Sequence, residues 1–349
     1  MINVGLIGFG LSGRVFHAPF IVADEGMALS LVFSSRTQEV LSAYPQVKLA
    51  RHIDDVLLSK DLDLIVITSP NALHFSQAKA ALEAGKHVLL EKPSVTKQEQ
   101  IEGLTALAEQ NNLVFCVYQN RRFDGDFLRL KALLQSKQLG ELKQLESRFD
   151  RFRPNARMRW RELPGEGTGI FWDLGPHLLD QALHLLGTPD WINASIDRLR
   201  DDSQTHDSFE LELGYKGHRV KLGSSPFEAG RVMRFNARFT GGSWQCHGLD
   251  PQEEALRKGQ LPNDSEYAKA GVAQHFALFQ ATQHDVDQIT ETKERPNFGD
   301  YGAFYKALRL SIQGEGATPV SHTEACELVY ALNLALESDR LGQRLVWSY

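Results

Sequence analysis

Short apolar runs alternate with amphipathic stretches along the first third of the chain. Residues 2–7 (Ile-Asn-Val-Gly-Leu-Ile) carry the pattern of a short buried strand, and the runs at 28–33, 62–68, 87–90 and 114–118 repeat it. Between them, 13–23, 52–59, 72–84 and 97–110 carry helical spacing, with Gly85 stopping the third of these. Strands separated by helices of this length need right-handed crossovers, which predicts a doubly wound parallel sheet covered on both faces. The period then changes. A helix is predicted over 127–135 and another over 178–187, and residues 208–215 set Phe209, Leu211, Leu213 and Tyr215 against polar neighbours in a period of two. Further strands are predicted at 219–223, 233–240 and 243–247, with Gly241-Gly242 as a turn. Two helices, over 298–312 and 323–340, follow, the second opened by the capping pair Ser321 and Glu324. The change of period near 121–125 divides the chain into 1–122 and 123–349.

Composition fits this α/β reading of two globular parts. Of 349 residues, 42% are hydrophobic and 23% charged, which is ordinary globular usage and speaks against disorder. The 38 Lys and Arg against 44 Asp and Glu give a net charge of −6, which disfavours nucleic acid or an anionic membrane as the main partner. The richest apolar run, 62–68, is strand length and far short of the roughly 18 residues a membrane span needs. Cys116, Cys246 and Cys326 form no CxxC pair and no disulfide framework. With no basic segment ahead of the first apolar run, a cytoplasmic, reducing location is expected.

The first strand runs into Gly8-Phe9-Gly10-Leu11-Ser12-Gly13, a G-x-G-x-x-G pattern between a strand and a helix. Gly8 permits the tight turn, Gly10 lets backbone approach a pyrophosphate, and Gly13 lets helix and strand pack closely. The helix start then offers free N–H groups to the phosphates. A plain structural strand-to-helix turn is the alternative. The second strand ends in Ser34-Ser35-Arg36, where a site built for NAD usually carries an acid for the ribose 2′-OH. Two hydroxyls and a guanidinium suit a 2′-phosphate better, so NADP is expected over NAD, unless Arg36 is a solvated first-turn residue. The remaining strand ends, Ser69-Pro70-Asn71 with His74 just beyond, Glu91-Lys92-Pro93, and Gln119-Asn120, fall on the same carboxyl edge and complete the cofactor-binding set.

Lys92 stands directly after a buried strand and before Pro93, which restricts it to extended geometry; it can reach a reacting oxygen from there, or be an ordinary loop lysine. Phe171-Trp172-Asp173-Leu174-Gly175-Pro176-His177 sets Asp173 near a helix start and His177 four residues on, on the same face. A carboxylate beside an imidazole can orient a general base, whereas the bland reading makes Asp173 an N-cap and His177 a packed helix residue. No His/Cys/Asp cluster has metal-ligand spacing and no G-x-S-x-G elbow occurs, so neither a metal nor a serine nucleophile is expected. Six arginines over 148–161 are interleaved with Phe149, Phe152 and Trp160, a stretch that could serve a substrate-side loop, a subunit contact or, least in keeping with the net charge, nucleic acid. Trp160 and Trp172 could wall a sugar-sized pocket or pack into the core.

Taken together, the glycine turn, Glu91-Lys92-Pro93 and Asp173-x-x-x-His177 resemble the glucose–fructose oxidoreductase/inositol dehydrogenase (Gfo/Idh/MocA) family over essentially the whole chain. The resemblance implies an N-terminal Rossmann domain and a C-terminal α+β domain with a large, mostly antiparallel open sheet. It also implies a homodimer through that sheet and catalytic roles for Lys92, Asp173 and His177 in exchanging hydride with a polyol or sugar. Phe16-His17-Ala18-Pro19, Asn120-Arg121-Arg122-Phe123-Asp124, 149–154 and 248–253 resemble more closely the bacterial NADP-dependent scyllo-inositol dehydrogenases and their uncharacterised relatives. Asn120 then also falls on the substrate side. Reduction of another sugar, an anhydrosugar or a dicarbonyl, and a silent NADP(H) sensor, stay open as alternatives.

Overall fold

The apolar runs of the first third become six strands in the computed structural model: β1 (Ile2–Ile7), β2 (Met27–Phe33), β3 (Lys48–Leu49), β4 (Leu64–Ile67), β5 (His87–Leu90) and β6 (Phe115–Val117). The structure describes residues 1–156, 162–267, 274–281, 288–295 and 298–349. All six strands are parallel, in the order β3-β2-β1-β4-β5-β6. Four residues of β4 and three each of β5 and β6 are wholly buried, as expected of strands with helices on both faces. Two elements escape the sequence pattern: β3 and the helix α2 (Thr37–Ala43), both short and largely exposed.

The helix expected over 13–23 starts as a wide turn over Gly13–His17, where Ala18 N donates back to Gly13 O, and continues as α1 (Ala18–Ala23). Pro19 opens α1, where its missing N–H costs nothing. The other helices of this sheet are α3 (Ile53–Leu57), α4 (His74–Glu83) and α5 (Gln98–Gln110). The chain packs as two units, the first comprising 1–120, 252–267 and 300–329. The first unit thus takes in α8 (Gln252–Arg257), α9 (Tyr301–Ile312) and the start of α10 (His322–Leu341). Ser321 and Glu324 form the expected capping box, with Ser321 N donating to Glu324 Oε2 at 2.9 Å and Glu324 N to Ser321 Oγ at 3.2 Å. Tyr305 of α9 stacks on Phe20 at 5.5 Å, and Phe304 meets Tyr118 edge-on at 4.9 Å.

The second unit comprises 121–251, 268–299 and 330–349. It holds α6 (Gly125–Ser136), α7 (Ile170–Leu186) and nine strands: β7 (Leu142–Arg148), β8 (Trp191–Asp197), β9 (Ser208–Tyr215), β10 (His218–Ser224), β11 (Met233–Phe239), β12 (Gly242–His247), β13 (His275–Ala281), β14 (Ile289–Glu294) and β15 (Leu345–Val346). Their order is β14-β13-β12-β11-β7-β10-β9-β8-β15, antiparallel except for β7 against β10. One face is apolar and covered: Leu145, Phe209, Leu211, Leu213, Val220 and Leu222 are buried, with α7 packing on β9 and β10. The other face is charged, bearing Glu146, Arg148, Glu210, Glu212, Arg219 and Lys221.

A register shift between Met233 and Phe235 accompanies the wholly buried Arg234. Its guanidinium lies between the rings of Phe149 and Phe235, 3.9 and 4.0 Å from their centroids, and donates to Ser147 Oγ and Gln181 Oε1. Asp126 Oδ2 is 3.9 Å from Arg234 Nε and accepts from Gln274 Nε2 at 2.7 Å, while Oδ1 accepts from Phe127 N. Burial pushes the Asp126 carboxyl up to about 6, with the Asp250 carboxylate adding to the push and Arg234 only partly offsetting it. A folded value above the unfolded 3.8 means a stabilising contribution that is complete below 3.8 and lost as pH rises through about 6. It amounts to at most about 3 kcal/mol. Asp126→Asn, neutral at every pH, is expected to lose less stability than the wild type between pH 4.5 and 7.5, and equal pH slopes of thermal unfolding for the two proteins would contradict this.

Candidate active site

Two groups of side chains, one in each unit, are the candidates for the chemistry. In the first unit, Gly8 has φ +97°, and a Cβ there would lie 2.6 Å from Thr68 Oγ1; on Gly13 it would lie 2.3 Å from Gly8 O. On Gly10 it would meet nothing within 4 Å. Gly8 and Gly13 are therefore demanded by the fold itself, while Gly10 leaves the outer side of the turn open for a pyrophosphate to approach backbone. The turn fits a dinucleotide on that observation. Phe9 is buried against Tyr44 and Leu11 is exposed.

The Ser12 hydroxyl donates to Glu91 Oε1, a contact that sequence reading does not foresee. His17 Nε2 lies 3.0 Å from the same oxygen, and Lys92 N donates to Glu91 Oε2 at 2.8 Å. A carboxylate only accepts, so His17 donates to it through Nε2, and its Nδ1 lies 2.7 Å from the Tyr305 hydroxyl. Burial alone would raise the Glu91 carboxyl. The His17 hydrogen bond, reinforced by charge on His17 and Lys92 and by Ser12, brings it down to about 2 instead. Lys92, half-buried, is joined to Pro93 by a cis peptide.

Other expected cofactor residues take mixed places. Ser34 Oγ accepts from Arg36 N at 3.1 Å, Ser35 and Arg36 are exposed, and Ser69 Oγ donates to Gln77 Oε1 at 2.6 Å. Pro70 is exposed, and Asn71 starts a short 3-10 turn. His74 is a correction. Its ring is 1% exposed, with Nδ1 at 2.9 Å from Pro93 O and Nε2 at 2.9 Å from Ser69 O, and burial holds its pKa down. The ring ties two strand ends together through backbone carbonyls and presents no nitrogen to a ligand. Asn120 is buried at the start of a 3-10 turn. Beside it, both polar atoms of the Gln119 amide are buried without a hydrogen-bond partner among the described residues, at a strand end where ligands gather in such sheets.

In the second unit, α7 starts at Ile170, earlier than expected, because Phe171, Trp172 and Leu174 extend its buried stripe. Asp173 is therefore in the first turn of the helix and not its N-cap, which is Gly169 at φ +89°. His177 follows one turn later on the same face, 5% exposed, with Pro176 inside the helix. Trp172 is 9% exposed and edge-on to Phe171 at 5.8 Å, a core position. Trp160 lies outside the described residues. One turn beyond His177, Asp180 takes a fork from Arg122 at 2.8 and 2.7 Å, and Gln181 Nε2 donates to Arg121 O at 2.7 Å. Asp250 Oδ2 accepts from Gly125 N at the start of α6. The 120–124 and 248–253 motifs, noticed in the sequence only as resemblance, thus contribute anchors for α7 and α6.

Comparison with known proteins bears on the family and the fold. A model described as "Oxidoreductase family, NAD-binding Rossmann fold" matches residues 2–119, and the GFO/IDH/MocA C-terminal domain matches 127–245. The uncharacterised oxidoreductase YdgJ of Escherichia coli is 39% identical over 97% of this chain and 96% of its own. The scyllo-inositol 2-dehydrogenase (NADP(+)) IolW of Bacillus subtilis is 33% identical over 97% of this chain and 94% of its own. A solved oxidoreductase structure from Yersinia pestis superposes with a TM-score of 0.94 at 36% identity, covering 100% of this chain and 97% of that one. Among the described residues, no helix is long and apolar enough to cross a membrane.

The glycines separate folding from binding. Gly13→Ala is expected to lower the unfolding temperature, since the methyl has no room against Gly8 O. Gly10→Ala should keep the wild-type unfolding temperature and weaken NAD(P)H binding, as followed by fluorescence titration with both cofactors. A Gly10→Ala protein that binds normally would remove the turn from the cofactor site.

Proposed function

The chain belongs to the Gfo/Idh/MocA oxidoreductase family, and from that premise we propose a cytoplasmic, NADP(H)-dependent enzyme that interconverts a secondary alcohol and a ketone on a cyclic polyol or sugar such as scyllo-inositol. The carrying observation is the open glycine turn at the carboxyl edge of a 3-2-1-4-5-6 sheet, where Lys92 follows β5; within the second unit, Asp173 and His177 share one helix face. When bound, NADP⁺ supplies the hydride acceptor at nicotinamide C4. Gly8–Gly13 and the Ser69–Asn71 strand end hold the dinucleotide, and Ser34, Ser35 and Arg36 receive its 2′-phosphate. His177 takes the hydroxyl proton of the alcohol, Asp173 orients the imidazole, and the Lys92 ammonium stabilises the alkoxide as the C–H hydride departs. In the reverse direction His177 returns the proton to the forming hydroxyl. Asn120 remains on the substrate side of this scheme. Residues 1–122 would serve the cofactor and 123–349 the substrate and assembly. The buried thiols of Cys116, Cys246 and Cys326, none of them in a disulfide, suit a reducing compartment. The NADP dependence named for IolW supports the cofactor choice, and the absence of an acid at Ser34–Arg36 supports it independently.

Lys92→Ala is expected to lower turnover on the order of 100- to 1,000-fold while leaving NADPH binding within about threefold. The assay follows reduced-nicotinamide absorbance over a panel of inositols, sugars and dicarbonyls. Cofactor binding without turnover on any of them would favour a sensor, and unchanged turnover in Lys92→Ala would contradict the catalytic assignment.

A homodimer through the charged face of the nine-stranded sheet is part of the same reading. A groove of about 590 Å³ there is lined by Arg148, Glu210 and Arg231, with exposed Phe227 beside them and Phe152 bridged to Phe227. Mixed charge of this kind can complement itself across a twofold axis. Glu210→Lys should then shift the protein from dimer to monomer in analytical ultracentrifugation, and a wild-type monomer at micromolar concentration would exclude the assembly.

A further inference from the structure

The carboxyl ends of β1 and β2 present two arginines to one carboxylate. Glu39 Oε1 accepts a hydrogen bond from Arg36 Nη1 at 2.8 Å, and Glu39 Oε2 lies 3.9 Å from Arg14 Nη1. Arg14 directly follows the glycine turn, its N donating to Gly10 O at 3.1 Å, while Arg36 precedes α2 and Glu39 sits in that helix's first turn. β1 and β2 are hydrogen-bonded neighbours whose pairing ends at Ile7 and Phe33, so the three side chains meet where the adenosine ribose of a dinucleotide lies in a sheet of this order. The sequence shows no acid at the end of β2; the fold returns one from the next turn of helix.

The side chains of Arg14, Glu39 and Arg36 are 55%, 42% and 55% exposed, so each can change partner without being dug out of a core. Two guanidiniums against one carboxylate leave a surplus positive charge, and a phosphate dianion would use both cations where Glu39 neutralises one of them. A carboxylate in that position also has the chemistry to accept from a free ribose 2′-OH.

We propose that Arg14 and Arg36 together form the 2′-phosphate site and that Glu39 sets its selectivity, competing with the phosphate of NADP(H) and accepting from the 2′-OH of NAD(H). This rests on the NADP reading given above and adds Arg14 and Glu39 to it. Glu39 lowers discrimination without abolishing it, because exposed charges at this spacing interact weakly in water.

The test is equilibrium binding of NADPH, NADH, 2′,5′-ADP and 5′-AMP to the wild type and to Arg14→Ala, Arg36→Ala and Glu39→Gln, with unfolding temperatures as the check on folding. Arg14→Ala is expected to weaken NADPH and 2′,5′-ADP about tenfold and leave NADH and 5′-AMP within about twofold. Glu39→Gln is expected to tighten NADPH about threefold to tenfold and to gain nothing with NADH. Loss of all four ligands alike in Arg14→Ala, or an unmoved NADPH-to-NADH ratio in Glu39→Gln, overturns the proposal while Arg36→Ala still reports on the 2′-phosphate. A wild type that binds NADH as tightly as NADPH overturns the NADP reading itself, and the proposal with it.

Discussion

A buried carboxylate that stays ionised organises the first unit. Glu91 is 8% exposed, yet its hydrogen bonds reach the glycine turn through Ser12, the following helical turn through His17, and the backbone of Lys92. Each of these partners donates, so the anion is worth more to the fold than the neutral acid would be. Its folded value near 2 lies below the unfolded 4.5, so this contribution is complete above 4.5 and lost as pH falls through about 2. His17 passes the constraint on to Tyr305 of α9, whose hydroxyl lies 2.7 Å from His17 Nδ1 and 3.1 Å from Phe16 O. The glycine turn and the candidate catalytic lysine thus share one buried anion. Displacing it would disturb both at once.

Asp126 in the second unit is as deeply buried as Glu91, and its carboxyl moves the opposite way. The difference lies in the neighbours. Asp126 has a second carboxylate, Asp250, acting on it, and its cation stands 3.9 Å off without a hydrogen bond between them. Glu91 has two side-chain donors on one oxygen and a backbone donor on the other. Burial amplifies whatever surrounds a charge, favourable or not. Arg122 with Asp180 is the favourable case in the second unit, a two-bond fork that fixes α7 one turn beyond His177.

What could be read from the sequence follows from the same physics. Parallel strands buried on both faces are unbroken apolar runs, so β1, β2, β4, β5 and β6 stood out. β14 is exposed along nearly its whole length, and β7 is interrupted by Lys143, Gln144, Glu146, Ser147 and Arg148, so neither shows an apolar run to find. The glycine turn and Lys92 are local motifs and were legible. Tyr305 reaches His17 across 288 residues, and no local pattern encodes such a contact. The start of α7 is not legible because Pro176 reads as a first-turn signal, whereas the buried stripe begins with Phe171 and outweighs it. His74 looked like a ligand because its position at a strand end was visible and the carbonyls around its ring were not.

The arginines show why a count of charges says little until their partners are known. Arg148, at the head of the basic stretch, is gripped by Asp150 and Glu210 together, and their hydrogen bonds push its pKa up against the effect of burial. One cation between two carboxylates leaves a negative surplus, which attracts no anion. Arg122 and Asp180 balance one for one and are buried, so that pair is spent on holding a helix. Arg14 and Arg36 share the single carboxylate of Glu39 in the open. In a chain of net charge −6, that exposed surplus beside the glycine turn is the arrangement among these three suited to draw a phosphate.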